Sequence, residues 1–421
     1  MARLTWETRA GRVGLTSCGV LVALALIAGG YYWWGGPHER RVAQRVLDEA
    51  CGGVLPSDEM RAVLGEGPLR SGRGLTGLRE AYDGERQVTC AVSRKTEHHA
   101  GRPTHDASVE VSVQSVPERR GSPAAEERAA EHRRGYGMLY PEVPVELPPA
   151  ALGGGWRGLF TTGEGFTDLA GRESATTAVL LDCAREGGGL LVTVGVSEED
   201  VTLDDPRRRA AYARIATATA AKASRTWGCD APLGKPPRTV ALPVDADEDV
   251  PLADASGTCR GVPGRGGRVS RAWEGRPSGG GPVEVCVLAG GRTGTPAGAP
   301  GGEARRYRLV AYYGPYAEAE RLRQQERHGR YSEDPVPGDD APAGRLPGGG
   351  HWASTACHDG SGPALFTVRP SDATDGEAYE TDGERRAPKP SAADLAYERA
   401  ALKHFAGRSA KDHGCGAPKL P

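Results

Sequence analysis

The sequence predicts an α+β protein: an N-terminal transmembrane helix, then two tandem duplicated, disulfide-stapled domains, each an antiparallel sheet with helices on one face. Three observations carry this reading. An uncharged run of 22 residues lies near the N-terminus. Eight cysteines follow it as two sets of four with repeating flanks. Between them, short stretches of alternating apolar residues are broken by Gly- and Pro-rich turns, and each set closes on an Ala-rich helix.

Residues 1–12 read as a short cytoplasmic tail. Val13 to Trp34 reads as the membrane helix, since crossing the bilayer core takes roughly 20 apolar residues. Its end, Tyr31-Tyr32-Trp33-Trp34, has the amphipathic rings that favour the headgroup level. The run is long for the h-region of a cleaved signal peptide, although Ala23, Ala25 and Ala28 supply small residues, so an uncleaved signal anchor is the preferred reading. Leu15-Thr16-Ser17-Cys18 has the residue types of a lipobox, but the hydrophobic stretch follows the cysteine instead of preceding it. Flanking charge does not orient the helix, with Arg3, Arg9 and Arg12 before it and Arg40, Arg41 and Arg45 after it.

The cysteines decide the orientation. Cys51, Cys90, Cys183, Cys229, Cys259, Cys286, Cys357 and Cys415 include no pair at zinc-finger spacing. Disulfides in an oxidising compartment account for them, which puts the chain after Gly35 outside the cytoplasm. Each set of four allows three connectivities. The preferred one is first-to-second and third-to-fourth: Cys51–Cys90, Cys183–Cys229, Cys259–Cys286 and Cys357–Cys415.

Copy one spans residues 37–232, a linker follows at 233–257, and copy two spans 258–421. Cys51-Gly-Gly-Val matches Cys259-Arg-Gly-Val, and Val88-Thr-Cys90-Ala-Val matches Glu284-Val-Cys286-Val-Leu. Strands are expected at Ala107–Val116, Leu190–Val196, Arg306–Tyr313 and Ala364–Val368. Connecting helices are expected at Ala124–Tyr136 and Ala317–Arg330. The closing helices begin at Tyr212-Ala-Arg214 and Tyr397-Glu-Arg399. Asp205 before Pro206 and Ser391 with Asp394 are start signals. Gly228 and Gly414 are left-handed stops. Gly153-Gly-Gly-Trp156 echoes Gly348-Gly-Gly-His-Trp352, which makes Trp156 and Trp352 core residues or a candidate binding surface.

Chemistry is harder to find. The net charge of −2 with scattered arginines argues against nucleic acid as a partner. His98, His99, His105 and Asp106 read as a solvated hairpin loop, with a metal site as the competing reading. The acidic run Asp245–Asp249 lacks the turn glycine of a calcium loop and reads as solvated linker. His358 and Ser361 lie in a Gly-rich turn without a nucleophile elbow, and no phosphate-binding loop is present. Neither a catalytic residue nor a cofactor is expected.

The stretch from Cys51 through Leu64-Gly65, with its later strand cysteine Cys90, resembles uncharacterised, lipoprotein-like actinobacterial cell-envelope domains with paired cysteines. The resemblance implies an envelope location and carries no active-site residues. The expectation is a single-pass membrane-anchored, extracytoplasmic binding or assembly module of the cell envelope. It contacts the bilayer through residues 13–34 and takes envelope proteins as candidate partners. The alternative is an envelope enzyme whose site no motif reveals.

Overall fold

The computed structural model describes residues 40–72, 79–81, 85–94, 107–116, 145–162, 173–183, 188–199, 201–245, 247–276, 281–290, 305–331, 342–346, 349–357, 362–371 and 390–421. The tail 1–12 and the expected membrane helix 13–34 lie outside them, as do the helix expected at 124–136, the cluster of His98, His99, His105 and Asp106, and the His358/Ser361 turn. Among the described residues no helix is long and apolar enough to cross a membrane.

In the first half, helix α1 (residues 40–49) runs into a 3-10 turn, Ala50–Gly53, and helix α2 (Ser57–Leu64). Strands β1 (Leu69–Gly72), β2 (Arg79–Ala81), β3 (Glu85–Arg94), β4 (Ala107–Val116), β5 (Ala150–Ala151), β6 (Arg157–Thr162), β7 (Glu173–Asp182) and β8 (Gly189–Glu198) follow, then helix α3 (Pro206–Trp227). The second half comprises β9 (Val250–Pro251), β10 (Arg271–Glu274), β11 (Val283–Ala289), β12 (Arg305–Tyr313), helix α4 (Pro315–Tyr331), β13 (Ala343–Arg345), β14 (His351–Ala356), β15 (Pro363–Pro370) and helix α5 (Ala392–Asp412).

Each half builds one antiparallel sheet. The first has the order β1-β3-β4-β8-β7-β6-β5, with β2 also on β3, and the second β13-β14-β15-β12-β11-β10-β9. The central wiring is the same: β3–β4 corresponds to β11–β12, and β7–β8 to β14–β15. The cysteines occupy matching places. Cys183 follows β7 and bonds Gly188 O at 2.9 Å, and Cys357 follows β14 and bonds Gly362 O at 3.2 Å. All four expected disulfides are formed, with Cα–Cα distances from 3.8 to 5.4 Å.

Two sequence matches shift against this frame. Gly153–Trp156 leads into β6 whereas His351-Trp352 begins β14, the counterpart of β7, so the two Trp motifs are not equivalent. A Gly-rich turn recurs at many strand starts, and the shared letters misled. The Tyr212/Tyr397 match is off by one. Anchored on Cys229 and Cys415, the buried positions 211, 212, 215, 216, 219, 220, 223 and 224 of α3 fall one for one on 397, 398, 401, 402, 405, 406, 409 and 410 of α5. The structural partner of Tyr212 is therefore Glu398.

Side-chain alternation sends each sheet's two faces to different cores. On the first sheet, Val179, Leu181, Val192, Val194 and Val196 pack against Tyr212, Ile215, Ala216 and Ala220 of α3, with Leu47 of α1 and Met60 of α2 joining them. On the second, Leu309, Ala311, Tyr313, Phe366 and Val368 pack against Leu402, Phe405 and Ala406 of α5. A third core joins the halves: Leu159, Ala178 and Leu191 of the first sheet meet Trp273, Val285, Val310, Tyr312, Trp352 and Leu365 of the second, together with Tyr316 and Ala317 of α4. The sheets thus face each other across this seam, with α3 and α5 on the outside.

The expectation of helices on one face of each sheet is overturned in the second half. β12 is apolar on both faces. Leu309, Ala311 and Tyr313 serve α5 and Val310 and Tyr312 serve the seam, so α4 lies opposite α5. Over residues 315–325, α4 is rich in Glu, Arg and Gln yet largely buried, and it neutralises charges along its own surface through Arg321–Glu318 and Arg323–Glu320 (3.2 Å). The stretch 233–257 is laid on the first half by Lys235 N–Gly154 O (2.8 Å) and Val244 N–Pro148 O (3.1 Å). Its Asp249 pairs with Arg271, and β9 lies within it.

Candidate functional site

The outer cores are largely apolar and are interrupted on the helix-facing side of strands by buried titratable residues such as Glu198, Glu284 and His351. These positions gather the polar chemistry. The densest cluster forms under the C-terminal turns of α5. Glu284 shares the helix-facing side of β11 with Cys286 and Leu288, and its side chain is 2% exposed. Ser409 Oγ donates to Glu284 Oε2 at 2.7 Å, and Tyr313 Oη lies 2.5 Å from the same Ser409 oxygen. His413 Nε2 is 3.0 Å from Glu284 Oε1, and the His413 ring stacks on Tyr313 with centroids 3.8 Å apart. Arg408 adds a 3.4 Å contact to Glu284 Oε2 and donates to Thr258 O at 2.8 Å.

The electrostatics follow from this geometry. Burial alone pushes the Glu284 carboxyl up, but the hydrogen bonds from His413 and Ser409 and the charges of His413 and Arg408 hold it below the ordinary carboxylate value. The Tyr313 hydroxyl is pushed well up by burial and by the Glu284 charge.

Two smaller clusters share the theme. His351 Nδ1 of β14 lies 3.0 Å from Glu398 Oε2 of α5, with both side chains almost fully enclosed. In the first half, Glu198 at the end of β8 accepts from Arg208 Nε of α3 at 2.7 Å and from the Tyr212 hydroxyl. Burial and the bond to Glu198 push the Tyr212 hydroxyl upward.

Ser, His and Glu within hydrogen-bonding reach are the ingredients of nucleophilic catalysis, but the wiring differs. A catalytic triad places imidazole between the hydroxyl and the carboxylate, so that the imidazole takes the hydroxyl proton. Here the carboxylate sits between, and the Ser409 hydroxyl is fully buried with both bonding directions used. The arrangement acts as an electrostatic clamp. It fastens the end of α5 to β11 beside the Cys357–Cys415 bond.

Of the residues singled out in the sequence, the eight cysteines come together in the expected pairs. Trp156 lies in the first outer core and donates to Lys235 O at 2.8 Å, while Trp352 lies in the seam, so the two share no surface. Sequence reasoning passed over Glu284, Glu398, His351 and Glu198. The available signal was a lone charged residue at a core-facing strand position, as in Val283-Glu-Val-Cys286. Among the described residues no group of three or more His, Cys, Asp or Glu side chains is placed to hold a metal ion. Comparison of the chain with protein-family models, with curated proteins and with solved structures returns no match.

Proposed function

We propose that the chain is a membrane-tethered, extracytoplasmic binding or assembly module of the cell envelope, built by duplication of one disulfide-stapled domain. The observation that carries this reading is the fusion of two similarly wired halves through a continuous seam, with a disulfide and a buried polar clamp fastening the last helix of the second half. Four disulfides suit an oxidising compartment. The uncharged run at residues 13–34 supplies the tether. A rigid, pseudo-symmetric body on a single anchor fits a scaffold that presents its outer faces to other envelope proteins.

Topology and partnership are tested together in intact cells. Protease added from outside, after the wall is removed, digests everything beyond the tether, and crosslinking recovers a defined set of envelope proteins. Full protection from the protease would overturn the topology. Recovery of only bulk membrane proteins would overturn the binding role.

A further inference from the structure

The seam is not uniformly dry. Its second-sheet side is Trp273, Val285, Val310, Tyr312 and Trp352. On the first-sheet side the fully buried apolar residues are Leu159, Ala178 and Leu191, with Val116 of β4 partly buried against them. Beside them the same face carries Ser112 and Gln114 of β4 and Thr193 of β8. Ser112 and Thr193 lie directly opposite each other in register, and Gln114 Nε2 donates to Ser112 Oγ at 3.2 Å. Tyr316 of α4 turns its hydroxyl toward Thr193 from the other half.

All of these side chains are buried: Ser112 is 6%, Gln114 2%, Thr193 2% and Tyr316 1% exposed. Nevertheless Gln114 Oε1, Thr193 Oγ1 and Tyr316 Oη make no well-formed hydrogen bond among the described residues, although the Tyr316 hydroxyl is close enough to Thr193 to feel it as a hydrogen-bonding neighbour. Gln324 Oε1, two turns along α4, and Trp352 Nε1 are in the same position. A buried hydroxyl or amide oxygen without a partner forfeits the hydrogen bonds it made to water in the unfolded chain. Five such atoms among the described residues of one layer call for a cause. Two hydroxyls and a carbonyl oxygen together offer both donors and acceptors. A buried water, which makes about three hydrogen bonds, matches that set.

We infer that the seam between the halves is a built hydration site, in which Gln114 Oε1, Thr193 Oγ1 and Tyr316 Oη bind ordered water that bridges the first sheet to α4. The bridge sets the mutual position of the halves. It supplies direction where the apolar contacts of Trp352 and Leu159 supply only adhesion.

Thr193→Val and Tyr316→Phe, singly and together in the full chain, test the site. A water held by both hydroxyls makes each single substitution lower the thermal midpoint by roughly 1–3 °C. The double variant then loses clearly less than the sum, which shows that the two hydroxyls act as one unit and leaves the crystal structure to separate a bridging water from a direct bond. Midpoints that rise in both single variants, or effects that simply add, overturn the proposal, since removing a truly orphaned hydroxyl is stabilising. A high-resolution crystal structure reads the same question without mutation. Density for water within hydrogen-bonding distance of Thr193 Oγ1 and Tyr316 Oη supports the site, and direct Thr193–Tyr316 contact with no water refutes it.

Discussion

The outer cores and the seam solve opposite problems. Beneath α3 and α5 the packing is mostly aliphatic and aromatic, and the buried carboxylates there are well partnered, as Glu284 is by Ser409, Arg408 and His413. In the seam, a charged helix and a hydroxyl-bearing sheet face an apolar sheet, and several polar atoms are left over. The outer layers hold each half together, whereas the seam holds the halves in register. A fold can tolerate polar chemistry in its interior when each donor finds its acceptor, and the two regions differ in where those acceptors come from.

Variants that strike one region and spare the other would sharpen the contrast. The largest expected effect is on the outer layer: replacing Cys357 and Cys415 by Ser frees a loop with a sequence separation of 58. On the chain-entropy model this costs about 4 kcal/mol, read as a shift in the denaturant midpoint. The next largest falls on the seam. Glu320→Ala leaves Arg323 facing a mostly buried layer without that carboxylate, 3.2 Å away in the intact protein, and should cost about 3 kcal/mol in the same assay.

Glu284→Gln comes third, at about 2 kcal/mol at neutral pH, because His413 and Arg408 lose their anion. Its pH signature is specific. The folded-state carboxyl titrates below its unfolded value of 4.5, so its stabilisation is present above that value and lost as pH falls through the depressed one. Acid unfolding curves of the Gln variant should therefore be flatter below about pH 4.5 than those of the parent. Parallel curves would mean that Glu284 is not the titrating clamp.

The smallest effect is the most diagnostic of the comparison. Thr219 Oγ1, under α3, is also buried without a partner, but in an aliphatic core. Thr219→Val should be neutral or stabilise by up to about 1 kcal/mol. Loss of stability there would show that hidden hydration is not confined to the seam.

Much of the fold was legible because its elements obey strong local rules. β4 runs Ala107–Val116, as its alternation predicts. Asp205 caps α3 by accepting from Arg207 N at 2.9 Å, and Ser391 and Asp394 form the full capping box of α5. Gly228 is left-handed as a helix stop requires. The placement of α4 was not legible, because a helix with charges on several faces carries no stripe to say which side is buried. The clamp escaped for a different reason: Glu284, Ser409 and His413 are far apart in sequence and share no motif. The seam escaped because Ser112 and Thr193 look like solvent-facing positions of half-buried strands until a second sheet covers them.

The unlike inner faces also bear on the order in which the chain is made. Translation delivers the first half with a seam face of Thr, Ser and Gln around a small apolar patch, a surface that tolerates waiting in water. The second half arrives with Trp273, Trp352 and Tyr312 exposed until they dock. By then the earlier half is already there to receive them. Each molecule therefore shelters its own late-emerging surface, and the reverse order of synthesis would leave the adhesive face to find other chains first.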